Sequence, residues 1–376
     1  MEVAFRVDAS LEMGSGHVMR CLTLANALKA RGARCRFIGR PHPGHLIELI
    51  RERGYEVNSL LTPAQHAQEA IEIVAISQNS HHGEPAHADW LGSTWQTDAE
   101  ETAAILSTCQ PDWLVVDHYA LDHRWEAALA PHCRKLLVVD DLADRPHCCD
   151  ILLDQNLGRQ AQDYAALVDA RCQLLVGPQY ALLRPEFAAL REYSLQRRNA
   201  QPAIRRLLIS MGGVDQYNTT GQVMQALKTS SLPVDCHITV VMGLKAPWLQ
   251  NVQELAAQMP WTTEVLVNVN DMAQHMASSD LAIGAAGSTS WERCCLGLPT
   301  LMVVLAANQW TGARALHEAQ AVGLIGEGGN IAMHLPLAVA ALTRGNGLQY
   351  MSAAATAVTD GRGVSRVLRV LGECSE

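Results

Sequence analysis

The sequence predicts an α/β protein built from two doubly wound, Rossmann-like domains that face each other across a cleft. Short strands rich in Val, Ile and Leu alternate with helical segments along the whole chain, as parallel sheets covered on both faces require. At 376 residues the chain is too long for one ordinary core. A polar, charge-rich stretch from Arg191 to Arg206 interrupts the alternation and reads as a linker. Domains are accordingly expected at residues 1–192 and 203–376, with the last helix returning to the first domain.

In the first half the expected strands are Glu2 to Val7, Arg34 to Gly39, Trp113 to Val116, Lys135 to Val139, Ile151 to Leu153 and Gln173 to Val176. In the second half they are Arg206 to Ser210, His237 to Met242, Glu264 to Val267, Leu281 to Ile283 and Thr300 to Val304. A loop holding Gly14, Ser15 and Gly16 follows the first strand. Apolar residues then recur at Val18, Cys21, Leu22, Ala25 and Leu28, a helical spacing closed by Gly32. Strand, glycine loop and helix start is how α/β folds offer backbone N–H groups and a positive dipole end to an anion. His17 stands where that helix begins. The dipole there disfavours a further positive charge, which suits an imidazole to act as a general base. The competing reading is a dinucleotide fingerprint with an incidental histidine. Its third glycine is missing, and no acidic residue ends the second strand to hold a ribose. No nicotinamide or flavin cofactor is expected.

Composition narrows the class. With 48% hydrophobic and 18% charged residues the chain is globular. Its net charge of −9 argues against nonspecific binding to nucleic acid or an anionic membrane. No apolar run reaches the length of a membrane span, and the first residues read as a core strand instead of a signal peptide. A cytoplasmic protein, acting as a monomer, is the expectation. The cysteines (Cys21, Cys35, Cys109, Cys133, Cys148, Cys149, Cys172, Cys236, Cys294, Cys295 and Cys374) form no C-x-x-C pair and read as small hydrophobes. In the segment from Gln78 to Asp98, His81, His82 and His87 could bind a metal, but a solvated loop is the preferred reading. No metal is expected.

Chemistry-bearing residues gather at strand exits, where ligands of doubly wound sheets bind. Asp117, His118 and Tyr119 follow one strand, and Asp140 and Asp141 follow the next. Function and plain turn capping are both open for the two adjacent aspartates. Tyr119 is the stronger candidate, because an aromatic alcohol can stack on a sugar and donate a hydrogen bond. In the second half, Gly212, Gly213, Val214 and Asp215 follow a strand, and Asn218, Thr219 and Thr220 open a helix. Further on, Gly287, Ser288 and Thr289 follow a strand, with Glu292 one turn into the next helix and Asn308 and Gln309 beyond. Backbone N–H groups and hydroxyls there suit a diphosphate, and Glu292 suits ribose hydroxyls.

The run GAAGSTSWERCCLGLPTLMVV followed by ANQ resembles the nucleotide-sugar half of GT-B glycosyltransferases, the MurG-like ones in particular. The blocks FRVDASLEMGSGHVMRCLTLA, VVDHYALDHRWE, VVDDLADRPHCCDILLDQN, GPQYALLRPEF and ISMGGVD are similar to the PseG hydrolases. That family hydrolyses UDP-2,4-diacetamido-2,4,6-trideoxy-β-L-altropyranose in pseudaminic acid synthesis, which feeds flagellin glycosylation.

The resemblance implies a GT-B fold with a UDP-sugar as its one partner and no metal. His17 would be the base that activates water for inverting displacement of UDP, with Tyr119 beside it. Arg6, Asp8, Gly14, Ser15 and Gly16 would bind substrate in the first domain. In the second, Gly212, Gly213, Asn218, Gly287, Ser288, Thr289, Glu292, Asn308 and Gln309 would do so. Where some members carry an asparagine before the helical glutamate, this chain has Trp291, which leaves that polar contact open. A UDP-sugar glycosyltransferase and a UDP-sugar 2-epimerase are the alternatives on the same fold, and a binding module without turnover is the non-enzymatic one.

Overall fold

A computed structural model describes residues 1–62, 84–200, 203–244 and 246–373. The chain divides into two compact units, the first made of residues 1–182 with the C-terminal helix and the second of Leu183–Gly363.

The first unit holds a seven-stranded sheet in the order β3-β2-β1-β4-β5-β6-β7. These strands are β1 Glu2–Val7, β2 Arg34–Gly39, β3 Glu56–Ser59, β4 Trp113–Asp117, β5 Lys135–Val139, β6 Ile151–Asp154 and β7 Gln173–Val176. Every pairing is parallel. Alternate side chains of one strand go to opposite faces. Phe5, Val115 and Leu137 meet helix α1 (Gly16–Lys29) and the C-terminal helix through Val367, Leu368 and Leu371. Ala4, Leu114 and Val138 meet Ala99, Leu106 and Trp125 on the other face. The sheet order reverses between β1 and β4, so their carboxyl ends flank a crevice.

The second unit holds six parallel strands in the order β10-β9-β8-β11-β12-β13. They are β8 Arg206–Ser210, β9 His237–Met242, β10 Thr262–Val267, β11 Leu281–Ala285, β12 Thr300–Val304 and β13 Gly323–Glu327. Its order reverses between β8 and β11.

Three expectations change. The stretch from Arg191 to Arg206, expected as a linker, is helical through Ala200, within Pro185–Ala200. Two of its arginines, Arg191 and Arg198, are donors to carbonyl groups rather than solvated charges. Arg191 reaches the Thr356 and Thr359 oxygens at 2.8 and 2.9 Å, and Arg198 reaches those of Met276 and Gly297 at 2.8 and 3.0 Å. Strands β3 and β13 lie at sheet edges. Their sequences, EVNS and GLIGE, lack the apolar run of a strand buried on both faces. Of the His-rich segment, His81 and His82 lie outside the described residues. The part from Glu84 onward is no solvated loop, because Leu91 and Asp98 are buried.

Candidate active site

In the first unit the β1 exit leads into a tight turn, where the Gly14 N–H donates to the Ser10 carbonyl at 2.9 Å. Gly14 adopts φ +74°, a conformation open to glycine at no steric cost. The turn delivers Gly16 to the start of α1, whose N-cap Ser15 makes no side-chain cap bond. His17, 7% exposed, therefore points from the first turn of α1 toward the exit of β4.

There its Nδ1 lies 2.6 Å from Asp117 Oδ1. Arg20, one turn on, donates Nε to Asp117 Oδ2 at 2.6 Å and Nη2 to Oδ1 at 2.7 Å. Burial works against the charge of Asp117, but Arg20 and His17 hold its carboxyl well below the usual range. An ionised carboxylate only accepts, so Nδ1 carries the proton. Arg20 Nη2, 3.2 Å from Nδ1, shares the acceptor Oδ1. The ring's lone pair is thereby assigned to Nε2, which has no hydrogen-bond partner among the described residues. Burial, then Asp117, pushes the Cys21 thiol well above its usual value, so it stays a thiol.

Tyr119 meets the His17 ring edge-on, centroids 4.6 Å apart at 84°. Burial and the charge of the neighbouring Asp141 hold its phenol protonated far above neutrality. Asp141 also accepts from Arg20 Nη1 at 2.9 Å. Asp140 is fully buried and receives the Ala143 N–H, Tyr164 Oη and Arg145 Nη1, each at 2.8 Å. Of the two aspartates, Asp140 braces the turn and Asp141 faces the His17 group.

Arg6 and Asp8, expected to bind substrate, are 0% and 2% exposed and present no surface to it. Arg6 is forked onto Asp98 at 2.7 and 3.1 Å and lies 2.8 Å from Asp8. Arg40 and the Trp125 indole complete the shell of Asp98 at 2.8 and 3.0 Å. Sequence reasoning missed Asp98, Arg40, Arg20 and the pairing of Asp117 with His17.

In the second unit, Gly212 and Gly213 follow β8, while Gly287, Ser288 and Thr289 follow β11. A Cβ on Gly212, Gly213 or Gly287 would meet nothing within 4 Å, so these loops leave backbone open to a ligand. A Cβ on Gly243, by contrast, would collide with the Gly213 carbonyl. The helix end at Asn218 is not free for an anion. Asp215 already accepts the Thr219 and Thr220 N–H groups at 2.8 and 2.9 Å, and Asn218 Oδ1 accepts that of Gly221 at 3.1 Å. Ser288 makes no side-chain cap bond at the start of the helix Thr289–Cys295. Glu292 lies 3.8 Å from Arg184, and burial pushes its carboxyl up to about 7 against the pull of Arg184 and Arg293. Trp291 beside it is buried. After β12, Asn308 is exposed, while Gln309 spends its Oε1 on the Leu305 N–H at 2.9 Å.

Solved structures match this architecture over nearly the full chain. MurG of Acinetobacter baumannii superposes with a TM-score of 0.69 over 99% of both chains, at 14% identity. The chain has the GT-B fold. The calicheamicin glycosyltransferase CalG4 gives 0.54 over 99% of this chain and 98% of that one, at 15% identity. No family model matches. By sequence the chain is similar to the UDP-2,4-diacetamido-2,4,6-trideoxy-beta-L-altropyranose hydrolase of Campylobacter jejuni, 27% identical over 82% of this chain and 93% of that protein. It is 24% identical over 82% of its length to an uncharacterized protein of Methanocaldococcus jannaschii, of which the match spans 56%. The spore coat polysaccharide biosynthesis protein SpsG of Bacillus subtilis is 29% identical over 39% of this chain and 42% of its own. This GT-B chain thus resembles sugar-nucleotide enzymes in fold and a UDP-sugar hydrolase in sequence. No helix among its described residues is long and apolar enough to cross a membrane.

Proposed function

We propose that the protein hydrolyses UDP-2,4-diacetamido-2,4,6-trideoxy-β-L-altropyranose to UDP and the free sugar, a step toward pseudaminic acid. The observation that carries this reading is the Asp117-held imidazole, whose Nε2 lone pair has no partner among the described residues. In this reading His17 Nε2 takes a proton from a water as its oxygen attacks the anomeric carbon. The C–O bond to the diphosphate breaks, and its electron pair leaves on the β-phosphate oxygen of UDP. Asp117 accepts a stronger hydrogen bond as the ring becomes imidazolium, and so stabilises the charge as it forms.

The C-terminal unit would hold UDP, with the loop after β11 donating N–H groups to the diphosphate and Glu292 accepting from the ribose. UDP is already a competent leaving group, so positioning water and removing its proton are the remaining tasks. Purified protein mixed with the UDP-sugar and no acceptor should release UDP at a rate proportional to enzyme. Release that appears only with an added acceptor would mean a transferase, and a UDP-linked epimer would mean an epimerase.

A further inference from the structure

Two cysteines meet at the edge of the first sheet opposite to His17. Cys149 precedes β6 and Cys172 precedes β7, and these strands run parallel with Ile151 across from Gln173. Both thiols therefore stand at the amino ends of the strands, whereas Asp140, Asp141 and Asp154 stand at carboxyl ends. Their Sγ atoms are 3.6 Å apart. The backbone beside them is pinned. The Asp150 carbonyl accepts the Gln173 N–H at 2.8 Å, the Asp150 N–H donates to the Leu136 carbonyl at 2.9 Å, and the Cys172 N–H donates to the Asp169 carbonyl at 2.9 Å. Both thiols are half-buried, while the neighbouring Cys148 is exposed. Within the pair the Cys149 thiol donates a hydrogen bond, which pushes it up, and Cys172 accepts it, which holds Cys172 below its usual value although burial opposes this. Cys172 is thus the member that forms a thiolate, the reactive species.

We infer that Cys149 and Cys172 form a redox modification site, a dithiol that a hydroperoxide converts to a disulfide tying the amino ends of β6 and β7 together. The inference does not depend on the UDP-sugar reading above. The Cys172 sulfur attacks a peroxide oxygen, the O–O bond breaks, and Cys172 becomes a sulfenic acid as one water leaves. The Cys149 sulfur then attacks the Cys172 sulfur, and the S–O bond breaks with release of a second water that carries the Cys149 proton. The dithiol loses two electrons and two protons, and the peroxide is reduced to two waters. To bond, the sulfurs close by roughly 1.5 Å. Cys148 and Cys149 are the poorer pair, because consecutive Cα atoms lie about 3.8 Å apart, closer than a relaxed disulfide spans. The ring formed holds Asn156 and Arg159, which donate to the Asp141 carbonyl at 3.0 and 3.2 Å. Oxidation therefore restrains the segment that supports the Asp141 turn, and it removes open conformations from the unfolded chain.

The test treats the full, folded chain with hydrogen peroxide, blocks the remaining thiols with an alkylating agent, and maps the peptides by mass spectrometry. The expected product is a peptide pair joined through Cys149 and Cys172, about 2 Da lighter than the sum of its free thiols, and separated again by dithiothreitol. Cys148→Ser should leave that product unchanged, and Cys172→Ser should abolish it. The oxidised parent should melt roughly 5–10 °C above the reduced one, a shift that dithiothreitol reverses and that Cys172→Ser does not show. The parent measurement stands alone if that variant does not fold. Cross-links that run through Cys148, sulfinic acid on Cys172 without a cross-link, or a pair left fully alkylated while Cys148 is oxidised would each overturn the site. A cross-link without any rise in melting temperature would overturn the restraint.

Discussion

Asp117 Oδ1 holds His17 Nδ1 at 2.6 Å while the same carboxylate takes two donors from Arg20. One side chain thereby orients the imidazole, fixes its tautomer and remains ionised in a buried place. His17→Asn should abolish turnover and leave UDP binding within a few fold. Asp117→Asn keeps the shape but frees the ring to adopt the wrong tautomer, so kcat should fall roughly 10²–10⁴-fold with little change in KM. Steady-state kinetics on the UDP-sugar decide both. Near-normal kcat in His17→Asn would remove the base assignment.

The buried carboxylates also set acid stability. Asp8, Asp98 and Asp117 are each held below the usual range although burial opposes their charge; Arg6 sustains the first two, and Arg20 with His17 the third. A depressed folded value contributes stability that is present above the unfolded value, about 4, and is lost as pH falls through the folded one. The stability these three contribute should therefore be constant from pH 7 to 5 and be lost steeply below about pH 4. Asp98→Asn leaves Arg6 and Arg40 short of a partner and should cost about 3–5 kcal/mol at neutral pH. Denaturant melts of the variant, and calorimetry of the parent across pH, check the two statements.

How much of this was legible beforehand follows from what each residue depends on. The central strands announce themselves because both faces are buried and most of their residues are apolar; EVNS and GLIGE, at sheet edges, carry no such run. Glycine loops and helix starts are local and could be read. The partner of His17 could not, since Asp117 comes beside it only when β4 pairs with β1. Arg6 and Asp8 sit within a loop-forming motif that looks like substrate contact, and only the placement of Asp98 shows that they are buried by pairing. Asn218 looked like an anion site because capping residues and ligand-binding residues are the same types, and Asp215 had already filled it.

Glu292 supplies a prediction with the opposite sign of pH dependence. Its carboxyl, pushed up to about 7 by burial, is largely protonated at pH 6 and ionised at pH 8. Ribose hydroxyls donate best to the ionised form. Uridine, which does not itself titrate in this range, should bind up to about tenfold more tightly at pH 8 than at pH 6. Glu292→Gln should weaken uridine binding and flatten that profile. A pH-independent uridine affinity in the parent protein would remove Glu292 from the ribose site.

Activity should survive exhaustive EDTA treatment. Among the described residues no three His, Cys, Asp or Glu side chains are arranged to hold an ion, and uncapped N–H groups after β11 can take the diphosphate charge. Loss of activity that one divalent ion restores would require a metal-bound diphosphate instead.

The bond that breaks gives the sharpest outcome. One oriented imidazole, without a carboxylate-bound metal, suits attack on carbon with oxocarbenium character better than attack on phosphorus. Hydrolysis in H₂¹⁸O should then place the label on the anomeric hydroxyl of the sugar and none on UDP. Direct displacement by water forms no sugar–enzyme bond, so the first product seen by rapid NMR should carry the inverted anomeric configuration. Asp117 is committed to His17 and Arg20, and Asp141 to Arg20. Neither carboxylate is therefore free to serve as a nucleophile. Label in UDP would mean phosphorus attack, and a retained anomer would mean that one of these carboxylates leaves its partners to form a covalent intermediate.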